Sequence, residues 1–225
     1  MHPTPEEIYR TRKQFFNDKA ESWLDMFYKN PDTGSYDRHQ QNFERLFSLV
    51  PLIRGCRVLD AGCGSGILVP SILTKIGESG MLYELDFAEK MIAENKRLHR
   101  EGNIRFIVAD AAETPLEAET CDVVFCFACF PHFQDKEKVM RCLSRILKPG
   151  GTFVIAHFES SEGIKRHHEA CPAVAHDFLP TENEMRSLFQ KAALSIDLFV
   201  DEQGFYCVRA KKIDPFQNQE EALLS

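Results

Sequence analysis

Apolar residues recur along this chain at two different periods, and the switches between them mark its elements. Ile8, Phe15, Phe16, Trp23, Leu24 and Phe27 stand near helical spacing, which predicts a helix over residues 5–29. Pro31-Asp32-Thr33-Gly34 reads as a loop. A second helix over 43–50 stops before Pro51, because a residue preceding proline is crowded out of helical geometry. Short apolar runs then predict strands at 57–60, 81–86, 104–110, 122–127 and 152–158. Helical patterns at 67–76, 88–101 and 136–147 lie between them. Such alternation specifies an α/β architecture, a parallel sheet with helices on both faces. After a polar stretch, Thr181 and Glu184 have the spacing of a capping box, opening a helix to residue 193. Residues 194–200 and 205–211 make a hairpin around Glu202-Gln203-Gly204, and the remainder reads as a tail. No internal repeat or low-complexity segment interrupts the pattern.

The turn after the first strand carries the chemistry. In Val58-Leu59-Asp60-Ala61-Gly62-Cys63-Gly64-Ser65-Gly66 an apolar run closes on an acid, and three glycines come next on alternate positions. Glycine permits a tight turn and lets backbone N–H groups approach a ligand. The unit is therefore a candidate cofactor cradle, its alternative being a glycine-rich connection that holds nothing. The dinucleotide fingerprint G-x-G-x-x-G/A does not fit, since its sixth position counted from Gly62 is Ile67. A nucleotide-dependent oxidoreductase is accordingly the weaker reading.

Together with three segments downstream, this acid-x-G-x-G-x-G stretch resembles the class I S-adenosylmethionine (SAM)-dependent methyltransferases of the small-molecule type. Leu85-Asp86-Phe87-Ala88-Glu89-Lys90-Met91-Ile92 is similar to the family's second-strand segment, an acid with Met five residues later. Phe106-Ile107-Val108-Ala109-Asp110-Ala111 is similar to its third-strand segment. Residues 121–127 with Ile146-Leu147-Lys148-Pro149-Gly150-Gly151 resemble its fourth strand and the turn before the fifth. The resemblance implies a Rossmann-like, seven-stranded doubly wound sheet whose last strand is antiparallel, which suits the terminal hairpin. Phe16-Asn17-Asp18-Lys19-Ala20-Glu21-Ser22-Trp23 resembles the F-D-x-x-A-x-x-Y stretch preceding the fold in many such enzymes, with Asn17 and Trp23 replacing the usual Asp and Tyr. A helix set apart from the sheet can close over its open end and exclude water, or simply pack outside. The expected organisation is a helical lid over 1–50, a methyltransferase domain over 51–212 and a tail over 213–225.

The resemblance also implies SAM as cofactor and assigns its contacts. Ala61, Gly62, Gly64 and Gly66 would pass beneath its amino-acid end and ribose, with Cys63 as a small residue within the loop. Asp60 would fix that loop and reach the ammonium. Asp86 closes the second strand, where a carboxylate can accept both ribose hydroxyls. Asp110 would accept from the adenine amino group, with the Ala111 N–H at the ring and Phe87 and Met91 packed on it. Cys126, Phe127 and Ala128 would line the methionine portion. For Asp86 and Asp110 the alternative is an ordinary loop cap, and Phe87 and Met91 could equally be core residues.

Ligands of open α/β sheets bind beyond the carboxyl ends of the strands. Cys129, Pro131, His132 and Phe133, then His157 and Glu159, are thus the candidates for chemistry. His132 and His157 approach one another if strands four and five are neighbours, and either could be a general base for an acceptor O–H, N–H or S–H. His167, His168, Cys171, His176 and Asp177 lie in the long connection beyond. His157, His168 and His176, with Asp177 or Glu159, could instead hold a divalent metal, although their spacing matches no compact motif. A polar wall without either role is the third reading. Cys126-Phe127-Ala128-Cys129 is a C-x-x-C at a strand end, where no helix N-terminus activates a thiol, so packing is the better account.

Composition then narrows the partners. A chain of 225 residues with 44% hydrophobic content and 18 Phe suits one packed domain. No apolar run approaches the ~18 residues of a membrane span, and Met1-His2-Pro3-Thr4-Pro5 lacks the features of a secretory signal. A cytoplasmic protein with no membrane partner is expected, its 8 cysteines reduced. The formal net charge of -7 disfavours a nucleic-acid partner, which requires clustered Lys and Arg. The expected function is methyl transfer from SAM to a small-molecule acceptor. Its alternative is a SAM-binding sensor or assembly factor without transfer activity. Oligomeric state has no signature in the sequence.

Overall fold

The computed structural model describes residues 4–214. Five strands are mutually parallel: β1 (Arg57–Ala61), β2 (Met81–Asp86), β3 (Ile104–Val108), β4 (Cys121–Phe127) and β5 (Leu147–His157). A hairpin of β6 (Leu194–Glu202) and β7 (Phe205–Lys212) completes a seven-stranded sheet in the order β3-β2-β1-β4-β5-β7-β6. The last strand, β7, runs antiparallel to both of its neighbours. From β3 the chain crosses to the far side of β1 to begin β4, so a crevice opens where β1 and β4 part.

Strand alternation sends successive side chains into two separate cores. Along β4, Val123, Phe125 and Phe127 meet Leu46 and Phe47 of α3 (Gln40–Leu49) and Ile72 and Ile76 of α4 (Val69–Ile76). Val124 and Cys126 face the other way, toward Met140 and Leu143 of α6 (Lys136–Ile146) and Phe189 of α8 (Glu182–Lys191). Aromatic contacts bolt each layer down, with ring centroids 6.0 Å apart for Phe47–Phe125 and 5.6 Å for Phe153–Phe189. Each such ring removed from water contributes roughly 1.5–3 kcal/mol. Among the described residues no helix is long and apolar enough to cross a membrane. All eight cysteines are free thiols.

The expected first helix is broken. It divides into α1 (Pro5–Lys19), a tight turn over Ala20–Ser22 and α2 (Trp23–Phe27). Thr4 and Glu7 form a capping box at its start, with Pro5 in the first turn. The break occurs where Ser65 of the glycine loop donates to the Ala20 carbonyl at 2.9 Å. Asn17 accepts from the Lys90 N–H at 2.9 Å, capping α5 (Glu89–Leu98), whose own N-cap residue Ala88 has no side chain able to do so. Lys13 pairs with Glu89 at 2.5 Å. The N-terminal segment is thus docked over the carboxyl ends of β1 and β2. By contrast α3, also assigned to the expected lid, packs into the core of the sheet. One helix escapes the hydrophobic pattern, α7 (Ser161–Glu169), because its buried stripe of Gly163, Ile164 and His168 contains only one apolar side chain of any size.

Gly66 has φ +85°, and a Cβ there would lie 2.3 Å from the Asn95 side-chain oxygen on α5. Its service is close packing of loop on helix. Gly66→Ala is expected to cost about 1–3 kcal/mol, read as a lower urea midpoint with unchanged slope. A midpoint equal to that of the unmodified protein would contradict this packing.

Candidate active site

A cavity of about 590 Å³ lies between the sheet's carboxyl edge and the roof formed by α1 and α2. This is within the size range of sites that enclose a cofactor and a small ligand. Its floor is the glycine loop. The Gly62 and Cys63 N–H groups both donate to the Leu85 carbonyl, at 2.7 and 3.0 Å, tying the loop to β2. A Cβ on Gly62 would meet the Cys129 Cβ at 2.6 Å, and its φ of +77° also demands glycine. Ala61 and Gly66 are off the cavity wall, contrary to the expectation that both underlie the ligand. Ala61 is fully buried and its carbonyl accepts from the Cys129 thiol at 2.9 Å, while Gly66 is committed to Asn95.

Asp86 serves as loop cap and wall together. Its oxygens accept from the Gly64 N–H at 3.0 Å and the Ala88 N–H at 2.8 Å, each keeping a lone pair for a ligand. Burial pushes its carboxyl up to about 6 despite those donors. Asp60 is buried with one oxygen lacking any partner, and burial beside Glu84 raises it well above the carboxylate range. A buried acid on a cavity wall with an unmet acceptor suits a cationic ligand group. Asp110 caps the turn Ala111–Glu113 through the Ala112 N–H at 2.8 Å, and Asp110, Ala111, Phe87 and Met91 all line the cavity. Cap or core roles thus coexist with a place on the cavity wall. Tyr9 of α1 reaches the same corner: burial and Asp110 push its hydroxyl up to about 12, and its ring meets Phe87 at 5.4 Å.

At the end of β4, Phe127, Ala128 and Cys129 form the wall. Cys126 does not, because a strand cannot turn consecutive side chains to one side, and its thiol packs toward α6 instead. Burial raises the Cys129 thiol, so it remains protonated. Ala128 has φ +53°, a conformation L-residues rarely adopt. Opposite stand Phe16, Trp23, Leu24 and Tyr28 of the N-terminal segment. The Phe16 ring lies 5.5 Å from Trp23 and 5.1 Å from His132.

The histidines separate. His132 lines the cavity, with Nδ1 2.8 Å from an Asp177 oxygen. Arg12 of α1 grips the same carboxylate with two nitrogens, Nε at 2.9 Å. His157 is buried off the cavity wall with Nε2 unpartnered, and burial lowers it to about 3, so it stays neutral. That placement removes it from contact with a substrate in the cavity. His168 donates from Nδ1 to the Asp177 backbone carbonyl at 2.5 Å, and His176 lies on a separate groove with Lys136 and Glu184. The expected metal set of His157, His168 and His176 is therefore not assembled. Among the described residues no group of three or more His, Cys, Asp or Glu side chains is arranged to hold a metal ion.

Arg12 and Tyr9 escape the sequence reading. A signal exists for Arg12, which stands four residues after Ile8 and four before Phe16, a charge on the apolar face of its helix.

Glu84 adds a pH dependence of stability. It pairs in register with Asp60, accepts from the Asn95 amide at 2.6 Å, and has one oxygen unpartnered. Burial raises its carboxyl from 4.5 to about 8, so the folded protein keeps a proton that the unfolded chain releases. Stability from this group is complete below pH 4.5 and is lost as pH rises through about 8. The urea midpoint of Glu84→Gln is expected to fall less than that of the unmodified protein across this interval; equal declines would refute the assignment.

Residues 59–155 match the family model described as a methyltransferase domain. A ubiquinone/menaquinone biosynthesis C-methyltransferase, UbiE, of Idiomarina loihiensis is 33% identical over 109 residues, 47% of this chain and 43% of that protein. The 27-O-demethylrifamycin SV methyltransferase of Amycolatopsis mediterranei is 29% identical over 164 residues, 69% of this chain and 60% of that protein. The chain thus matches less than two thirds of the length of either relative. A SAM-dependent methyltransferase from Aquifex aeolicus superposes with a TM-score of 0.64 at 21% identity, covering 94% of this chain and 100% of that one. Residues 59–155 of this chain thus match a methyltransferase domain, and its seven-stranded sheet belongs to a fold shared with the SAM-dependent methyltransferase from Aquifex aeolicus.

Proposed function

We propose that this protein transfers a methyl group from SAM to a small-molecule acceptor, with His132 as the base that takes the acceptor's proton. One observation carries the assignment of the base: His132 is on the cavity wall while its Nδ1 is committed to Asp177. The carboxylate fixes the tautomer with hydrogen on Nδ1, leaving the Nε2 lone pair as the ring's available acceptor. Burial holds His132 below its ordinary value even though Asp177 pulls it up, so the imidazole is neutral and able to accept at neutral pH.

The cradle fits SAM on the structure's own terms, through the unmet Asp60 oxygen, the spare lone pairs of Asp86 and the glycines that keep the floor low. Asp60 would face the ammonium, Asp86 the ribose hydroxyls, and Asp110 with Phe87 and Met91 the adenine. SAM supplies a methyl already activated by its sulfonium. The protein's contribution is alignment and dryness: Phe16, Trp23, Leu24 and Phe127 enclose the space beside His132, and an oriented pair of reactants gains most of its rate from that placement. The names of the two relatives, one in quinone biosynthesis and one acting on a demethylrifamycin, support an acceptor of small-molecule size. Incubation with isotopically labelled SAM and a metabolite extract, followed by mass spectrometry, tests the activity. Tight SAM binding with no labelled product from any extract would favour a sensor or assembly factor.

Asp86→Ala is expected to weaken SAM binding by about 1–3 kcal/mol in titration calorimetry, since paired hydroxyls lose a charged acceptor. Because the ionised form accepts, affinity of the unmodified protein should fall as pH drops through about 6. An affinity independent of pH there, together with a fully active Asp86→Ala, would remove Asp86 from the site. His132→Gln should bind SAM normally yet lose about 10²–10⁴ in turnover. Turnover within about threefold of the unmodified protein would refute a base at this position.

A further inference from the structure

We propose that Asp177 is a positioning residue shared by the base and the lid: a single carboxylate orients His132 and latches the N-terminal helix through Arg12, so that the base is set for proton transfer when the lid is shut. The inference rests on His132 being the base.

The geometry joins three distant parts of the chain. Arg12 and Asp177 are 165 residues apart in sequence, and His132 and Asp177 are 45 apart. Arg12 and Asp177 are 5% and 3% exposed, so the ion pair is buried. One Asp177 oxygen accepts from Arg12 Nη2, and the other accepts from both Arg12 Nε and His132 Nδ1. The peptide is itself held, because its carbonyl accepts from His168 and its N–H donates to the Val174 carbonyl at 2.9 Å. Asp177 is off the cavity wall, whereas Arg12 and His132 are on it. The carboxylate therefore acts through its partners and not on a substrate.

A guanidinium fork matches a carboxylate in shape and cannot lose its proton. With Arg12 docked, His132 faces a neutralised pair. With α1 lifted, it faces a bare carboxylate, which favours the imidazolium and removes the lone pair needed by the acceptor. The other ionisable groups around this pair are Lys136 at the start of α6, His157 at the end of β5 and His168 on α7. None of them is an anion. Removing Arg12 consequently leaves Asp177 as the dominant neighbour of His132.

The test uses the full chain without any acceptor, through imidazole ¹⁵N shifts of His132 across pH. The unmodified protein should show hydrogen on Nδ1. In Arg12→Gln the titration midpoint should rise by about one unit or more, and Arg12→Lys should restore part of the shift. A merely structural contact would lower the unfolding midpoint without moving the titration. An unmoved midpoint in folded Arg12→Gln and Arg12→Lys, or hydrogen on Nε2 in the unmodified protein, would overturn the proposal. Once an acceptor is in hand, Asp177→Asn should lower turnover about 10²-fold with SAM affinity unchanged, and full turnover would likewise overturn it. Failure of the base reading is seen separately, as undiminished turnover in His132→Gln.

Discussion

The chain leaves β1 toward β2 on one side and reaches β4 on the other, and the gap between these departures has to be closed by something other than sheet. Backbone groups at the ends of parallel strands have no further strand to bond with, so loops must satisfy them. Here the glycine loop folds back on the Leu85 carbonyl, Asp86 gathers the next amides, and the β4 end bends through Ala128, whose N–H donates to the Ala156 carbonyl at 2.9 Å. The same bonds that terminate the sheet thereby shape the floor and wall of the cavity. Because both faces of the sheet are already covered by helices, the opening can be roofed only from its edge, and α1 and α2 occupy that position.

Charge obeys the same geometry. Asp60, Glu84 and Asp86 lie beneath or beside the loop, all buried, and burial raises each carboxyl. No lysine or arginine is paired with any of the three by direct contact in the salt bridges of the described residues. Basic side chains instead sit on the roof: Lys13 at Glu89 and Arg12 at Asp177. Of the acids under the loop, Asp86 is held by backbone donors and Glu84 by an amide donor, whereas Arg12 of the roof is paired with Asp177, 165 residues away in sequence.

What the sequence disclosed and what it concealed divide along these physical lines. Asp60, Asp86 and Asp110 come directly after apolar runs, so their places at the carboxyl ends of strands could be read from the pattern. The two-residue period of a strand was also available, yet it argued against Cys126 and Phe127 sharing a wall, and the structure separates them accordingly. Gly66 stood in the right motif for a different reason, because close approach to a helix and close approach to a ligand require the same residue. Asp177 and Arg12 depend on tertiary pairing across 165 residues, which no local pattern encodes. The histidines illustrate the limit most clearly. Residue type and chain position made His132 and His157 equivalent candidates, and only their placement in the folded chain tells them apart: His132 is on the cavity wall and bound to Asp177, His157 is off it with Nε2 unpartnered.

The Asn17 bond to the Lys90 amide has a consequence for how the molecule assembles. An α-helix ordinarily caps itself with a neighbour in sequence, so that its first turn forms along with the rest. In α5 the cap arrives from a residue 73 positions earlier. The opening turn of that helix, which carries Met91 toward the cavity, can be completed only after the amino-terminal segment has come home. Completion of the Met91 corner of the cavity is thus tied to arrival of the roof, and the roof's bond to α5 waits in turn for the sheet and its helices.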